Sequence, residues 1–263
     1  MKLFKRTVSL LLILIIISSL ITGFYSYIPD RNLKVTSSET RALFSILESE
    51  NIDISKTVIP KEYPNLPDIL LSNSLNERTL FAEKLLDKNF SVYDNTTYTD
   101  SDSTLVIDGN LFTVYFNEDN YMKDKIKKAK DSELSDIFSS IVNSFGFKNT
   151  IISLSETNAT VMMTYKKIPI LNSCFRVHYS KNGISEIEGI CFEPTGIKYQ
   201  KKRRALINVF NEISNNPEIS GKTITDISIG YKIDEFSEFR KEAVAYPVWR
   251  ITVDDEISYD YKM

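Results

Sequence analysis

The sequence predicts an α+β protein: a single N-terminal transmembrane helix, then a region of antiparallel sheets with helices packed on one face. Three observations lead to this expectation. Residues 7–28 are apolar and uncharged, helical and strand periodicities alternate through the first half, and short strand-like runs dominate the second half. The chain of 263 residues is 42% hydrophobic and 25% charged, which is typical of a globular protein with a real core. Its net charge of −3 gives no support for nucleic-acid binding.

The N-terminal apolar run, residues 7–28, follows a basic stub at residues 1–6. As a helix it would extend roughly 33 Å, enough to cross a hydrocarbon core of about 30 Å. A cleaved signal peptide is the alternative, but the run is long for one and no Ala-x-Ala motif follows it. We therefore expect an uncleaved, single-pass anchor in the cell membrane. The basic stub places the N-terminus in the cytoplasm and the bulk of the chain outside it.

Residues 29–148 are expected to form an N-terminal extracytoplasmic subdomain. Apolar spacing predicts helices over 37–50, 75–88 and 121–147, and a Ser/Glu capping pattern opens the first of them. Residues 54–60 are a short strand candidate. Two further strands, 103–108 and 111–117, are joined by Asp108-Gly109-Asn110, a strong hairpin signal.

Residues 149–263 are expected to form a second subdomain, with the seam near Phe147–Asn149. It is predicted to contain one helix, 201–213, and closely spaced strands. The strands are expected over residues 151–157, 159–170, 173–180, 184–194, 224–233, 246–253 and 257–262. Trp249 lies between apolar neighbours on one of them, so it is interpreted as a core residue.

Cys174 and Cys191, the two cysteines of the chain, flank a predicted hairpin, and its register decides whether they can bond. A two-residue loop at 182–183 would place them opposite each other. That register pairs Val177 with Glu188 and mixes apolar and charged side chains on one face.

The alternative is a three-residue loop at 181–183, with its glycine left-handed as a bulge. Arg176 and His178 then face glutamates, while Val177 faces Ile187 on the apolar side. These cross-strand pairs are better, so this register is preferred. It places the two cysteines on opposite faces, and we expect both thiols to be free and mostly buried.

No catalytic or cofactor site is predicted. His178 is the one histidine of the chain, and a zinc site would need more ligands of its kind. The sequence has no GxSxG, GxGxxG or GxxxxGK[ST] motif. We therefore predict a non-enzymatic protein with no metal and no cofactor.

A basic run is a candidate surface patch for an anionic lipid, a wall polymer or an acidic partner. Its members are Lys201, Lys202, Arg203 and Arg204. They are predicted to occupy the first turn of a helix, where the helix dipole disfavours cations. A solvated face without a binding role remains the alternative.

The second half resembles a known family through three stretches: YKKIPILNS (165–173), ISIGY (227–231) and YPVWRITVDDEISYDY (246–261). They are similar to the YycI-type regulatory proteins of Gram-positive bacteria, whose neighbours are the YycH-type proteins. The resemblance implies a membrane-anchored extracytoplasmic regulator of the two-component sensor histidine kinase WalK (YycG), which governs cell-wall metabolism. It also leaves open a YycH-like protein as a second partner. The alternative function is a PepSY-like module that binds or inhibits a protease or binds a wall polymer.

The resemblance further implies that contact with the kinase runs through the transmembrane helix. Small and hydroxylated residues let helices approach each other in lipid. Ser19, Thr22 and Gly23 fall within about one helical turn and so share a side of the span. We predict that this stripe contacts the partner helix.

Overall fold

The structure is a computed structural model that describes residues 33–54, 59–86, 89–117, 123–199, 204–233 and 242–263. Most strands in these ranges join one large mixed sheet, and α-helices pack against it, so the predicted α+β class is confirmed. The predicted transmembrane helix, residues 7–28, lies outside the described ranges. Within them, no helix is both long and apolar enough to cross a membrane.

The described residues contain five α-helices. They are α1 (Ser37–Ser49), α2 (Arg78–Leu85), α3 (Lys123–Lys128), α4 (Asp131–Ser144) and α5 (Leu206–Ser214). Two short strands form a separate sheet: β1 (Leu33–Lys34) and β2 (Glu62–Tyr63). The large sheet has 13 strands in the described residues. They are β3 (Asp68–Asn73), β4 (Ser91–Val92), β5 (Thr97–Thr99), β6 (Ser103–Asp108), β7 (Leu111–Phe116), β8 (Thr150–Leu154), β9 (Asn158–Tyr165), β10 (Ile168–Ser180), β11 (Gly183–Gly189), β12 (Phe192–Tyr199), β13 (Ile224–Ile233), β14 (Glu242–Val253) and β15 (Ile257–Lys262).

The helix predictions were right in kind and less accurate at the ends. Helix α1 is capped one residue before the predicted start: Thr36 Oγ1 accepts from the Glu39 N–H at 3.2 Å, and Glu39 Oε2 accepts from the Thr36 N–H at 2.7 Å. The single helix predicted over 121–147 is two helices, α3 and α4. The second begins after Lys130, whose extended backbone (φ −81, ψ 158) interrupts the helical hydrogen bonding.

Two long strand predictions were wrong because each covers two strands. Residues 159–170 contain a tight turn at Lys166-Lys167, where the chain reverses between β9 and β10. Within residues 184–194, strand β11 ends at Gly189 and β12 begins at Phe192. A Cβ atom added at Gly189 would lie 2.3 Å from the Phe175 Cα. Only glycine fits there. The strand candidate at 54–60 lies largely outside the described residues.

The predicted hairpin of β6 and β7 is confirmed. Gly109 lies in its two-residue loop and has a left-handed φ of 57°.

The preferred register of the β10–β11 hairpin is confirmed for the three pairs on which it rested, but the predicted three-residue loop at 181–183 is wrong, because Ser180 pairs with Gly183 and leaves a two-residue loop at 181–182. Arg176 pairs with Glu188, Val177 with Ile187 and His178 with Glu186. Nearer the turn the register shifts by one, so Ser185 is an extra residue on β11. This bulge points Ile184 into the core, where it has 0% exposure; strict alternation would have turned it outward.

Strands from before and after residue 148 pair directly with each other. β3 lies between β12 and β14, and β7 pairs with β11. The predicted seam near Phe147–Asn149 therefore does not separate two sheets, and the division into subdomains at 148/149 stays a prediction. The long strand β10 pairs with β9 at both ends and with β11 through its second half. It also pairs in parallel with β13 at Ile170, so the sheet is mixed where antiparallel pairing was expected.

Two hydrophobic clusters pack on this sheet. In the larger one, α2 and α4 cover the strands, and Phe81 of α2 meets Phe112 of β7 edge-on at 5.0 Å. In the smaller one, α1 and α5 pack together over β13 and β14. Trp249 lies in the smaller cluster with 0% exposure and meets Tyr63 edge-on at 4.8 Å, so its predicted core position is confirmed.

Candidate functional site: a lysine-lined groove

Most residues of the predicted sites lie outside the described ranges. These are Ser19, Thr22 and Gly23 of the partner-contact stripe, and Lys201, Lys202 and Arg203 of the basic run. Arg204 is described. Its guanidinium reaches along α5, where it donates to the Asn208 carbonyl oxygen at 3.2 Å and pairs with Glu212 at 2.8 Å. The expectation that it occupies the first helical turn was wrong, because Ala205 is extended (ψ 149) and α5 begins at Leu206.

His178 lies on β10 and is partly buried. Its Nε2 is 3.2 Å from Glu188 Oε1, a diagonal contact to the neighbour of its direct cross-strand partner, Glu186. No group of three or more His, Cys, Asp or Glu side chains in the described ranges is arranged to hold a metal ion.

The two cysteines are free, as predicted. Cys191 has no exposed surface, and Cys174 is partly buried. Burial raises the pKa of the Cys191 thiol to about 12. It also raises the pKa of the Cys174 thiol, an effect that the charge of Arg176 opposes. Such thiols stay protonated near neutral pH, which makes them poor nucleophiles.

A groove of about 1080 Å³ lies where three parts of the chain meet, and we call it the lysine groove. Its walls are the connection from α4 to β8 (residues 146–151), the end of β9 with the turn into β10 (163–167), and the start of β12 (193–196). Sites for organic ligands commonly have volumes of about 300–1,000 Å³, so this groove is large enough for one.

The lysine groove carries an excess of positive charge, although the whole chain has a net charge of −3. Lys148, Lys166 and Lys167 line it, and Glu193 is its one acidic residue among the described ones. Glu193 is already engaged: Ser74 Oγ donates to it at 2.7 Å, and Lys84 Nζ lies 3.5 Å away. The groove therefore has three lysines and one carboxylate among its described lining residues, and that carboxylate already has partners.

The backbone around the groove is unusual. Lys166 and Lys167 form the two-residue turn between β9 and β10, and both have left-handed φ angles, 49° and 70°. A turn with two positive φ values prefers Asn-Gly, and each lysine there costs about 1 kcal/mol relative to glycine. Asn149 is also left-handed (φ 56), and its carbonyl oxygen accepts from the N–H and the hydroxyl of Thr164 at 2.8 and 2.7 Å. Strained residues often cluster at binding sites.

Sequence reasoning missed this groove because residues 159–170 were interpreted as one strand. Length alone could not have revealed the turn, since β10 and β14 are true strands of 13 and 12 residues. The turn and β12 line the same groove, and no local pattern encodes that long-range approach. Chemically, the groove is suited to binding an anion.

The family model described as YycI protein matches residues 31–262. The chain belongs to the YycI family. The match includes the region of the three stretches that suggested this family, and it extends through the first half, where the residues alone gave no such indication. Comparison with curated proteins finds no match.

The fold of this YycI family member is similar to that of YycH from Bacillus subtilis, with a TM-score of 0.51 and 13% sequence identity over 88% of this chain and 67% of that chain. At this identity the likeness concerns the fold. A solved structure of an uncharacterized protein from Eubacterium rectale ATCC 33656 aligns with a TM-score of 0.47 and 12% identity, over 81% of this chain and 84% of that chain.

Proposed function

We propose that this YycI family member is a non-enzymatic, membrane-anchored regulator of the sensor histidine kinase WalK (YycG). In this proposal residues 7–28 cross the cell membrane, the N-terminus is cytoplasmic, and the described region lies outside the cell. The kinase controls cell-wall metabolism, and a YycH-like protein is a further partner.

The observation that carries the proposal is the family match over residues 31–262. The fold similarity to YycH is consistent with it, because the resemblance noted in the sequence already relates YycI-type proteins to the YycH type. The uncharged run at 7–28 supplies the membrane anchor that contact with a kinase helix needs.

The test replaces Ser19, Thr22 and Gly23 together with Leu. If this stripe contacts the kinase helix, larger side chains should separate the helices and lower co-purification of the kinase from membranes. Expression of the kinase's wall-hydrolase targets should change with it. Intact-mass analysis of the membrane fraction should find the span still attached in both the wild-type and the variant protein.

The matched control replaces Ile17, Ile21 and Phe24 with Leu. These residues lie in the same span on the side opposite the stripe, because successive residues turn by about 100° around a helix. The control should insert and regulate like the wild type. An unchanged kinase output in the stripe variant, or full regulation by residues 30–263 without the span, would show that the mechanism is wrong.

A further inference from the structure

We propose that the lysine groove binds a phosphate group attached to a small organic body. The proposal is independent of the kinase and of the membrane helix. It rests on the charges, the backbone and the shape of the groove formed by residues 146–151, 163–167 and 193–196.

The charges select an anion. Lys148 and Lys167 are exposed and form no ion pair within the described part of the chain, and Lys166 lies beside them with its Nζ 5.9 Å from the centre of the Tyr165 ring. The groove's glutamate is engaged by Ser74 and Lys84, so it opposes an incoming anion only weakly.

The donor types suit phosphate. Among the described residues, the charged donors that line the groove are all lysines. Lysine is a common phosphate ligand and binds it as a compact point charge. Thr150 and Asn149 add a hydroxyl and an amide group at the same walls.

The walls also have an apolar part. Ile151, Met163, Tyr165 and Pro194 line the groove together with the lysines. The Tyr165 ring is held in place edge-on against Tyr231, with ring centres 5.9 Å apart. A bare phosphate would leave this surface unused, whereas an attached carbon body would cover it.

The turn at Lys166-Lys167 supplies the second, independent observation. Its two positive φ angles favour Asn-Gly, yet the chain places two charged residues there. A conformational cost at a position that lines a groove is expected where the side chains have a binding role.

The test uses this turn, because removing its charges should improve the fold. The variant Lys166→Asn, Lys167→Gly converts the turn to its preferred sequence, so its midpoint of thermal unfolding should rise. In the full chain, purified in a neutral detergent, the wild type should bind inorganic phosphate saturably by ³¹P NMR or calorimetry. The variant should bind it about tenfold more weakly or not at all, since two lysine charges are lost. In the wild type, sn-glycerol 3-phosphate should bind more tightly than inorganic phosphate.

The matched control is Lys127→Gln, Lys128→Gln on α3. Both residues are exposed and lie away from the groove, and the change in net charge is the same. This control should bind phosphate like the wild type. An equal loss in the control would mean that general charge attraction accounts for the binding, and the proposal would fail.

The phosphate can belong to a soluble molecule or to a lipid headgroup, and nanodiscs distinguish the two. We would compare phosphatidylcholine discs that contain phosphatidylglycerol with discs that contain oleate, which has the same charge but no phosphate. If the phosphatidylglycerol discs weaken the binding of sn-glycerol 3-phosphate and the oleate discs do not, the groove takes a lipid headgroup. If sn-glycerol 3-phosphate binds equally well in both kinds of disc, the ligand is a soluble molecule. If the wild type binds neither phosphate compound saturably, or if the turn variant binds both as well as the wild type, the proposal is wrong.

Discussion

At the scale of single residues, burial decides what the two thiols can do. Cys191 is enclosed at the end of the β10–β11 hairpin, and its carbonyl oxygen accepts from the Ser74 N–H at 3.2 Å. Because water is excluded, the charged thiolate is disfavoured and the pKa of the Cys191 thiol rises from 9.0 to about 12. The unfolded chain does not bury this thiol, so the Cys191 thiol ionises at lower pH in the unfolded chain than in the folded protein.

This difference predicts a pH dependence of stability. The protonated Cys191 thiol contributes stability that is fully present below its ordinary pKa of 9.0 and is lost as the pH rises through about 12. We expect the free energy of unfolding, measured with denaturant, to fall over this interval. The fall should be smaller in Cys191→Ala, which has no thiol to ionise there.

This prediction requires that Cys191 is a free thiol, and a thiol titration of the unfolded, unreduced protein checks that requirement. It should count both cysteines as free. A linked Cys174–Cys191 peptide in mass spectrometry, or an equal loss of stability in Cys191→Ala, would contradict the explanation.

At the scale of elements, one carboxylate joins three neighbouring strands. Asp260 of β15 accepts two hydrogen bonds from Arg250 of β14, at 2.8 and 3.1 Å, and one from Lys232 of β13 at 3.2 Å. Its side chain is 8% exposed. Burial by itself would raise the pKa of Asp260, but the hydrogen bonds and charges of Arg250 and Lys232 together hold it below its ordinary value.

Asp260→Asn should therefore lower the free energy of unfolding by about 2 kcal/mol, because it leaves two cations beside a neutral amide. The side chains of Lys232 and Arg250 are partly exposed to water, which keeps the loss below that of a fully buried pair. The Asp260 contribution is present above the ordinary aspartate pKa and is lost as the pH falls through the lower native pKa. The variant should consequently lose less additional stability in acid than the wild type. Denaturant titrations at neutral and acidic pH measure both effects.

The control for this prediction is Asp226→Asn on β13, the same substitution at an exposed position. It should change the free energy of unfolding by less than about 0.5 kcal/mol. If the two variants behave alike, the charge network does not stabilise the sheet.

At the scale of the whole molecule, the two halves of the chain share their sheet. β3 comes from the first half but lies between β12 and β14 of the second half, and α1 packs on α5. A piece of the chain that lacks β3 and α1 loses a central strand and the cover of the smaller hydrophobic cluster.

We therefore expect residues 149–263 alone to lack a stable tertiary fold, with poorly dispersed amide signals in NMR. Residues 31–263 should give dispersed signals and unfold cooperatively, because they retain both β3 and α1. A folded 149–263 fragment would establish the division at residue 148 as a true domain boundary.

Features that depend on neighbours in sequence were predictable. The capping pattern located α1 to within one residue, and the strands at 224–233 and 257–262 have the predicted bounds. The pairing of Arg176 with Glu188 followed from matching charges across a hairpin, which is a local relation. Helical and strand periodicities, turn residues and short hairpins are all readable within about 20 residues of chain.

Tertiary structure alone decided the rest. The insertion of β3 between β12 and β14, the inward turn of Ile184 and the approach of β12 to the Lys166-Lys167 turn join residues far apart in sequence or depend on what the sheet packs against. No local pattern specifies which strand edges meet, since that choice is made by the burial of the assembled core. Local patterns were enough to predict the α+β class, the family and most elements. The lysine groove exists only because the sheet brings its three walls together.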